Sequence, residues 1–171
     1  DLLLTQIQEA RDLGILFSLH VKATMMKVAD PIIFGHTVSV FFADFFANHA
    51  ETLHELGVDA DNGLGELESK VATLPESKRA ELEGDLKVAM DAGPDLYMVN
   101  SDKGITNLHV SSDVIIDASM PALIRAGGKG WGPDGQECDT KCVIPDNSYA
   151  PVYEETINFC KEHGAFNPSE M

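Results

Sequence analysis

The sequence predicts an α/β protein in which sheet and helix form stacked layers. Three observations predict it. A short β-prone run at 15–21 follows Gly14, a strongly apolar helical stripe begins beyond Asp30-Pro31, and strand-like and helical segments then alternate to the end of the chain. At 171 residues the chain fits one domain, which buries roughly two thirds of its unfolded surface.

Taken in order, Leu2, Leu3, Ile7 and Ala10 space a first helix over 1–11, Gly14 turns the chain, and 15–21 reads as a strand. Val38, Phe42, Phe45, Phe46, His49, Leu53 and Leu56 recur at three and four residues and stop at Gly57, predicting one long buried helix whose aromatics are core. Residues 59–74 are polar and glycine-containing and read as a surface excursion. Thr73 to Glu76 has capping-box spacing with proline in the first turn, opening a solvated covering helix that ends at Gly93-Pro94. Next come a strand at 96–99, a turn at 101–104, an extended run at 105–110 and a helical segment over 113–125 closed by Gly127-Gly128. Pro121 lacks the donor that would bond the Asp117 carbonyl, so the segment kinks there or begins helically only after Asp117. A glycine-rich turn at 127–135, a strand at 142–144 and a last helix over 149–162 complete the chain.

Charge and composition exclude several functions. Twelve Lys and Arg against 28 Asp and Glu give a formal charge of −16, which repels phosphate backbones and anionic lipid, so neither nucleic acid nor membrane is an expected partner. No apolar run reaches the roughly 18 residues of a membrane span. Cys138, Cys142 and Cys160 are odd in number, and free thiols suit a reducing, cytoplasmic setting. Cys138 and Cys142 lack a second ligand pair for zinc, and His49 and His54, five apart on one helix, do not share a face. Gly63-Leu64-Gly65 and Gly127 to Gly130 lack the spacing of a dinucleotide fingerprint and of a phosphate loop, respectively.

One run carries more. SLHVKATMMKVADPIIFGH at 18–36 resembles, almost residue for residue, a signature of the monomeric NADP-dependent isocitrate dehydrogenases. Further stretches agree: 102–110, 113–125, the Trp131 to Gly135 turn and 144–149, while 59–95 diverges. The wider decarboxylating hydroxyacid dehydrogenases carry Lys-Ala-Asn-x-x-Lys-x-x-Asp around a catalytic lysine. Lys22-Ala23-Thr24-Met25-Met26-Lys27-Val28-Ala29-Asp30 is similar to it, with Thr for Asn. Their metal-binding aspartate before Leu-Val-Arg is matched by Asp117 followed by Leu123-Ile124-Arg125, a family methionine standing one place differently.

The resemblance implies the layered fold of the isocitrate/isopropylmalate dehydrogenases, with 1–171 as a single domain, an internal segment of the larger substrate domain of a longer parent chain. It implies Lys22 as the catalytic and substrate-binding lysine and Asp117 as a ligand of Mg2+ or Mn2+. It further implies isocitrate as substrate, NADP held in a pocket mainly outside this segment, and the remaining segments of the parent as partners. Such a piece is expected to be inactive alone. Lys27 and Asp30 lie in the same signature, where a substrate role and loop architecture are not separable. Without the resemblance, Lys22 reads as a lysine after a buried strand and Asp117 as a carboxylate at a helix entry. A binding or scaffold module that keeps the fold, or an acidic metabolite or metal sensor, is the alternative. Retention of both Lys22 and Asp117 argues against a scaffold.

Overall fold

The computed structural model describes residues 2–22, 29–164, 167 and 169. The first helix, α1 (Leu2–Leu13), turns at Gly14 into β1 (Leu16–Leu19), all four residues of which are buried. Apolar residues at 16, 17 and 19 fill both faces of this strand, as expected of a strand covered on both sides. β1 pairs in parallel with β5 (Glu137–Val143), Leu19 lying opposite Val143. β5 pairs antiparallel with β4 (Lys129–Trp131), giving a three-stranded sheet of order β1-β5-β4. A second, two-stranded antiparallel sheet joins β2 (Met98–Asn100) to β3 (Ile105–Thr106). It meets the first through a bridge from Leu96 to Phe17.

The long aromatic helix of the sequence reading is three consecutive helices: α2 (Ala29–Phe41), α3 (Ala43–Asn48) and α4 (Ala50–Glu55). Phe42 and His49 leave helical dihedrals at the two junctions. Yet Phe46 N–H still bonds Phe42 C=O and Leu53 N–H bonds His49 C=O, so the ladder runs through both breaks. The apolar stripe follows this broken path. Phe34, Val38, Phe42, Phe45 and Leu53 enter one core with Phe17, Leu19 and Val21.

Residues 59–74 are not a surface excursion. After a 3-10 turn at Ala60–Asn62, they form α5 (Leu64–Val71), which buries Leu64, Leu67 and Val71 at helical spacing in that same core. The two glycines of Gly63-Leu64-Gly65 let backbone approach backbone. Leu64 N–H bonds Leu108 C=O at 3.0 Å and Gly65 N–H bonds His109 C=O at 2.9 Å. Gly63 has φ +80°, and a Cβ there would meet the His109 carbonyl.

α6 (Glu76–Ala92) follows with Pro75 as its N-cap, but the capping box does not form. Thr73 Oγ1 donates instead to the Lys70 carbonyl, closing the end of α5. α6 is largely exposed and buries Leu82 and Leu86. The expected extended run over 105–110 stops at Thr106, where the backbone N–H bonds His109 Nδ1 and folds the chain back. A 3-10 turn at Ser111–Val114 leads into α7 (Ile116–Arg125), which begins before Asp117 and carries Pro121 within it, so the helix does not wait until after Asp117. The glycine-rich 127–135 segment holds β4, and the last strand runs from 137, not 142. The last helix is α8 (Ala150–His163). Among the described residues no helix is long and apolar enough to cross a membrane.

Candidate functional site

The site stands where the chain leaving β1 meets the start of α7. The Val21 carbonyl accepts the Ile116 N–H at 3.0 Å, and Val21 bridges in parallel to Ile115. That backbone contact brings Lys22 and Asp117 together across 95 positions. Lys22 Nζ donates to Asp117 Oδ2 as an ion pair. The lysine side chain is 9% exposed and that of the aspartate 47%, so the pair has a dry end and a wet end. Asp117 stands in the first turn of α7, where aligned N–H dipoles favour a carboxylate. The phenol of Tyr153 on α8 donates to the Ile116 carbonyl at 3.1 Å, packing a third element beside the same turn.

Asp30, buried in the first turn of α2, accepts the Lys22 backbone N–H at 2.5 Å. That bond ties the chain at Lys22 to the start of α2. Lys27 lies outside the described residues.

Beneath the pair lies a buried polar chain that sequence reasoning passed over, having taken the histidines as packing or surface residues. His20 is 1% exposed, and its two ring nitrogens meet Ser18 Oγ at 2.8 Å and Ser119 Oγ at 2.7 Å. Asn107 Nδ2 donates to Ser18 Oγ at 2.9 Å. Burial alone holds the His20 ring well below the usual imidazole range, at about 3. The available signal was its position two residues before Lys22, which places both side chains on one face of an extended chain.

Among the described residues, one group of three side chains has metal-ligating spacing: His49, Glu81 and Asp85. It includes neither Lys22 nor Asp117, and His49 Nε2 already meets Asp85 Oδ2 at 2.8 Å, a hydrogen-bonding contact that ties the α3–α4 junction to α6. At the Lys22–Asp117 centre, Asp117 offers hard, half-exposed carboxylate oxygens of the type Mg2+ and Mn2+ prefer. The donor set fits one ligand of such an ion.

Fold and site together define a mixed α/β polypeptide with small sheets, built around a lysine–aspartate centre at a strand end. Residues 1–171 match the family model described as monomeric isocitrate dehydrogenase, and the chain belongs to that family. It is 57% identical to isocitrate dehydrogenase [NADP] 2 of Colwellia maris over 167 residues, covering 98% of this chain and 22% of the relative. It is 57% identical to isocitrate dehydrogenase [NADP] of Azotobacter vinelandii and 53% to isocitrate dehydrogenase [NADP] 2 of Mycobacterium tuberculosis, each covering 97% of this chain and 22% of the relative. The chain thus spans about 22% of the length of these relatives.

Proposed function

We propose that this chain is a segment of an NADP-dependent isocitrate dehydrogenase, lying within its larger substrate domain in an isocitrate/isopropylmalate dehydrogenase-like fold. In this reading it supplies Lys22 and Asp117 to an active site that other segments complete. The observation that carries it is the meeting of an ammonium and a carboxylate from positions 95 apart, one shielded and one open to solvent.

The reaction moves a hydride from C2 of isocitrate to NADP+, expels the carboxylate on C3 as CO2 and reprotonates the resulting enolate at C3, giving 2-oxoglutarate and NADPH. Two steps need a proton partner: the C2 hydroxyl must lose its proton as hydride leaves, and the enolate carbon must gain one. Lys22 is assigned to proton transfer and to substrate contact. Its backbone is fixed by Asp30, and its stem is buried, so Nζ reaches the centre with little freedom to lose. Asp117 is assigned as one carboxylate ligand of Mg2+ or Mn2+. When bound, that ion supplies Lewis-acid stabilisation of oxygen-centred negative charge. Asp117 also pairs with Lys22, so the ammonium and the carboxylate that would hold the cation share one centre. The NADP pocket and the other carboxylate-binding groups are assigned to the rest of the parent chain.

The test is isocitrate-dependent NADPH formation by the full-length enzyme carrying this segment. Lys22→Met should lower turnover by about 10²- to 10⁴-fold, the range over which positioned proton-transfer groups act, and Asp117→Asn, which removes a charged metal ligand, should lower turnover by at least about tenfold. Near-wild-type turnover in both variants would refute the assignment.

A further inference from the structure

Both His20 and Lys22 reach from the end of β1 to α7, one to Ser119 and the other to Asp117. The two contacts run side by side, two residues apart on each element. Resting on the reading of Lys22 and Asp117 given above, we propose that His20 is a positioning residue for that centre. As its neutral Nδ1–H tautomer, it latches the first turns of α7 to β1 and so sets the place of the Asp117 carboxylate.

The tautomer follows from the hydrogen-bond directions. Ser119 Oγ–H donates to the Ile115 carbonyl at 3.0 Å, so toward His20 that oxygen accepts and Nδ1 carries the proton. On the other side, Asn107 Nδ2 faces two acceptors, Ser18 Oγ at 2.9 Å and the Leu19 carbonyl at 3.4 Å. Of the two ends of the amide only the NH2 can donate to a carbonyl, which fixes the amide orientation. Ser18 Oγ therefore accepts from Asn107 and gives its own proton to His20 Nε2. Every hydrogen in the chain from Asn107 through Ser18, His20 and Ser119 to Ile115 has one direction. A protonated ring would take from the Ser18 hydroxyl proton its acceptor at Nε2, and the opposite tautomer would turn the Ser119 hydroxyl away from the Ile115 carbonyl. The ring is 1% exposed, so water cannot repair either fault.

The latch matters because, among the described residues, few other bonds hold this turn. Ile116 N–H to Val21 fixes the height of α7 along the strand, and the Tyr153 phenol donates to the Ile116 carbonyl. Ser119 gives a second point of attachment, one that resists rotation of the helix about the first. A rotation that moved Asp117 by about 1 Å would suffice to cost one to two orders of magnitude in a preorganised site.

The experiment uses the full-length enzyme with His20→Gln, His20→Asn, Ser119→Ala and Asp117→Asn, measuring Mn2+ binding by electron paramagnetic resonance with isocitrate present, alongside kcat and KM. Asparagine carries a donor where Nδ1 stands, whereas glutamine carries its amide where Nε2 stands. We expect His20→Gln and Ser119→Ala each to weaken Mn2+ binding about tenfold and to lower kcat with KM for NADP+ unchanged, and His20→Asn to recover to within about threefold of wild type. If His20→Gln does not fold, Ser119→Ala carries the test alone. The inference is overturned if Ser119→Ala binds Mn2+ as wild type does, or if the two His20 variants are equally impaired. Asp117→Asn separates the two readings. Should it bind Mn2+ normally, the metal-ligand assignment itself fails; should it lose binding while Ser119→Ala keeps it, only the latch fails.

Discussion

Asp30 accepts the backbone N–H of Lys22 at 2.5 Å, reaching from the first turn of α2 to the residue that follows the β1 to Val21 run. The carboxylate is 1% exposed, and the amide it receives belongs to a residue 7% exposed. Removing the acceptor therefore leaves a buried N–H that water does not reach, at a cost of about 1–3 kcal/mol. Asp30→Ala should lower the thermal midpoint of the full-length enzyme and release the Lys22 backbone, reducing kcat more than KM for NADP+. Asp30→Asn, which keeps an oxygen acceptor, should be milder in both. Equal midpoints for wild type and Asp30→Ala in scanning calorimetry would show that this bond does not hold the site.

How far the sequence foretold this arrangement depends on the kind of signal. β1, α6, α7 and α8 were legible because apolar periodicity and Gly or Pro punctuation act locally. The single long helix over 38–56 was not, because Phe42 and His49 leave helical dihedrals while i to i−4 bonding and apolar spacing continue straight across them. α5 was hidden by its own flanks: Leu64, Leu67 and Val71 have helical spacing, but the surrounding Asp, Asn, Gly and Glu residues look like a loop. Gly63 and Gly65 are there because backbone carbonyls of 108 and 109 come close, a tertiary cause with no local trace. At the site, family resemblance singled out Lys22 and Asp117, but periodicity alone gave no reason for residues 95 apart to meet. His20 and Ser119 lay inside the resembling stretches 18–36 and 113–125 but were given no role there, since a buried hydrogen-bond chain between β1 and α7 exists only once the two elements are packed.

Cys142 stands in β5 opposite Ser18 of β1, and burial pushes its thiol up to about 11 from an ordinary 9.0. The thiolate is the reactive form. Below pH 9 the shift reduces the thiolate fraction about a hundredfold. Iodoacetamide at pH 8 should therefore alkylate Cys142 of the native full-length enzyme about a hundredfold more slowly than an unperturbed cysteine, as read by peptide mass spectrometry over time. Unfolding in urea should abolish the protection. Rapid native labelling of Cys142 would contradict its buried environment.

The last prediction concerns acid. Both ring nitrogens of His20 meet neutral hydroxyls, so no carboxylate compensates a charge there, and the native ring protonates only near pH 3. In the unfolded chain it protonates near 6.5. Between these values the unfolded state binds the extra proton, so stability rises with pH across the window. The contribution is complete above about pH 6.5 and is lost progressively as pH falls toward 3, at up to about 1.4 kcal/mol per pH unit. His20→Asn lacks this proton uptake. Its stability at pH 7 should be lower, because Ser18 loses an acceptor, but between pH 6.5 and 4.5 it should decline less steeply than that of wild type. Chemical denaturation followed by tryptophan fluorescence at several pH values gives both slopes. Histidine C2 hydrogen exchange in the native enzyme should, in parallel, show no His20 titration between pH 5 and 8. Identical slopes together with an inflection near pH 6.5 would mean that the ring is charged in the native fold, with its bond directions reversed.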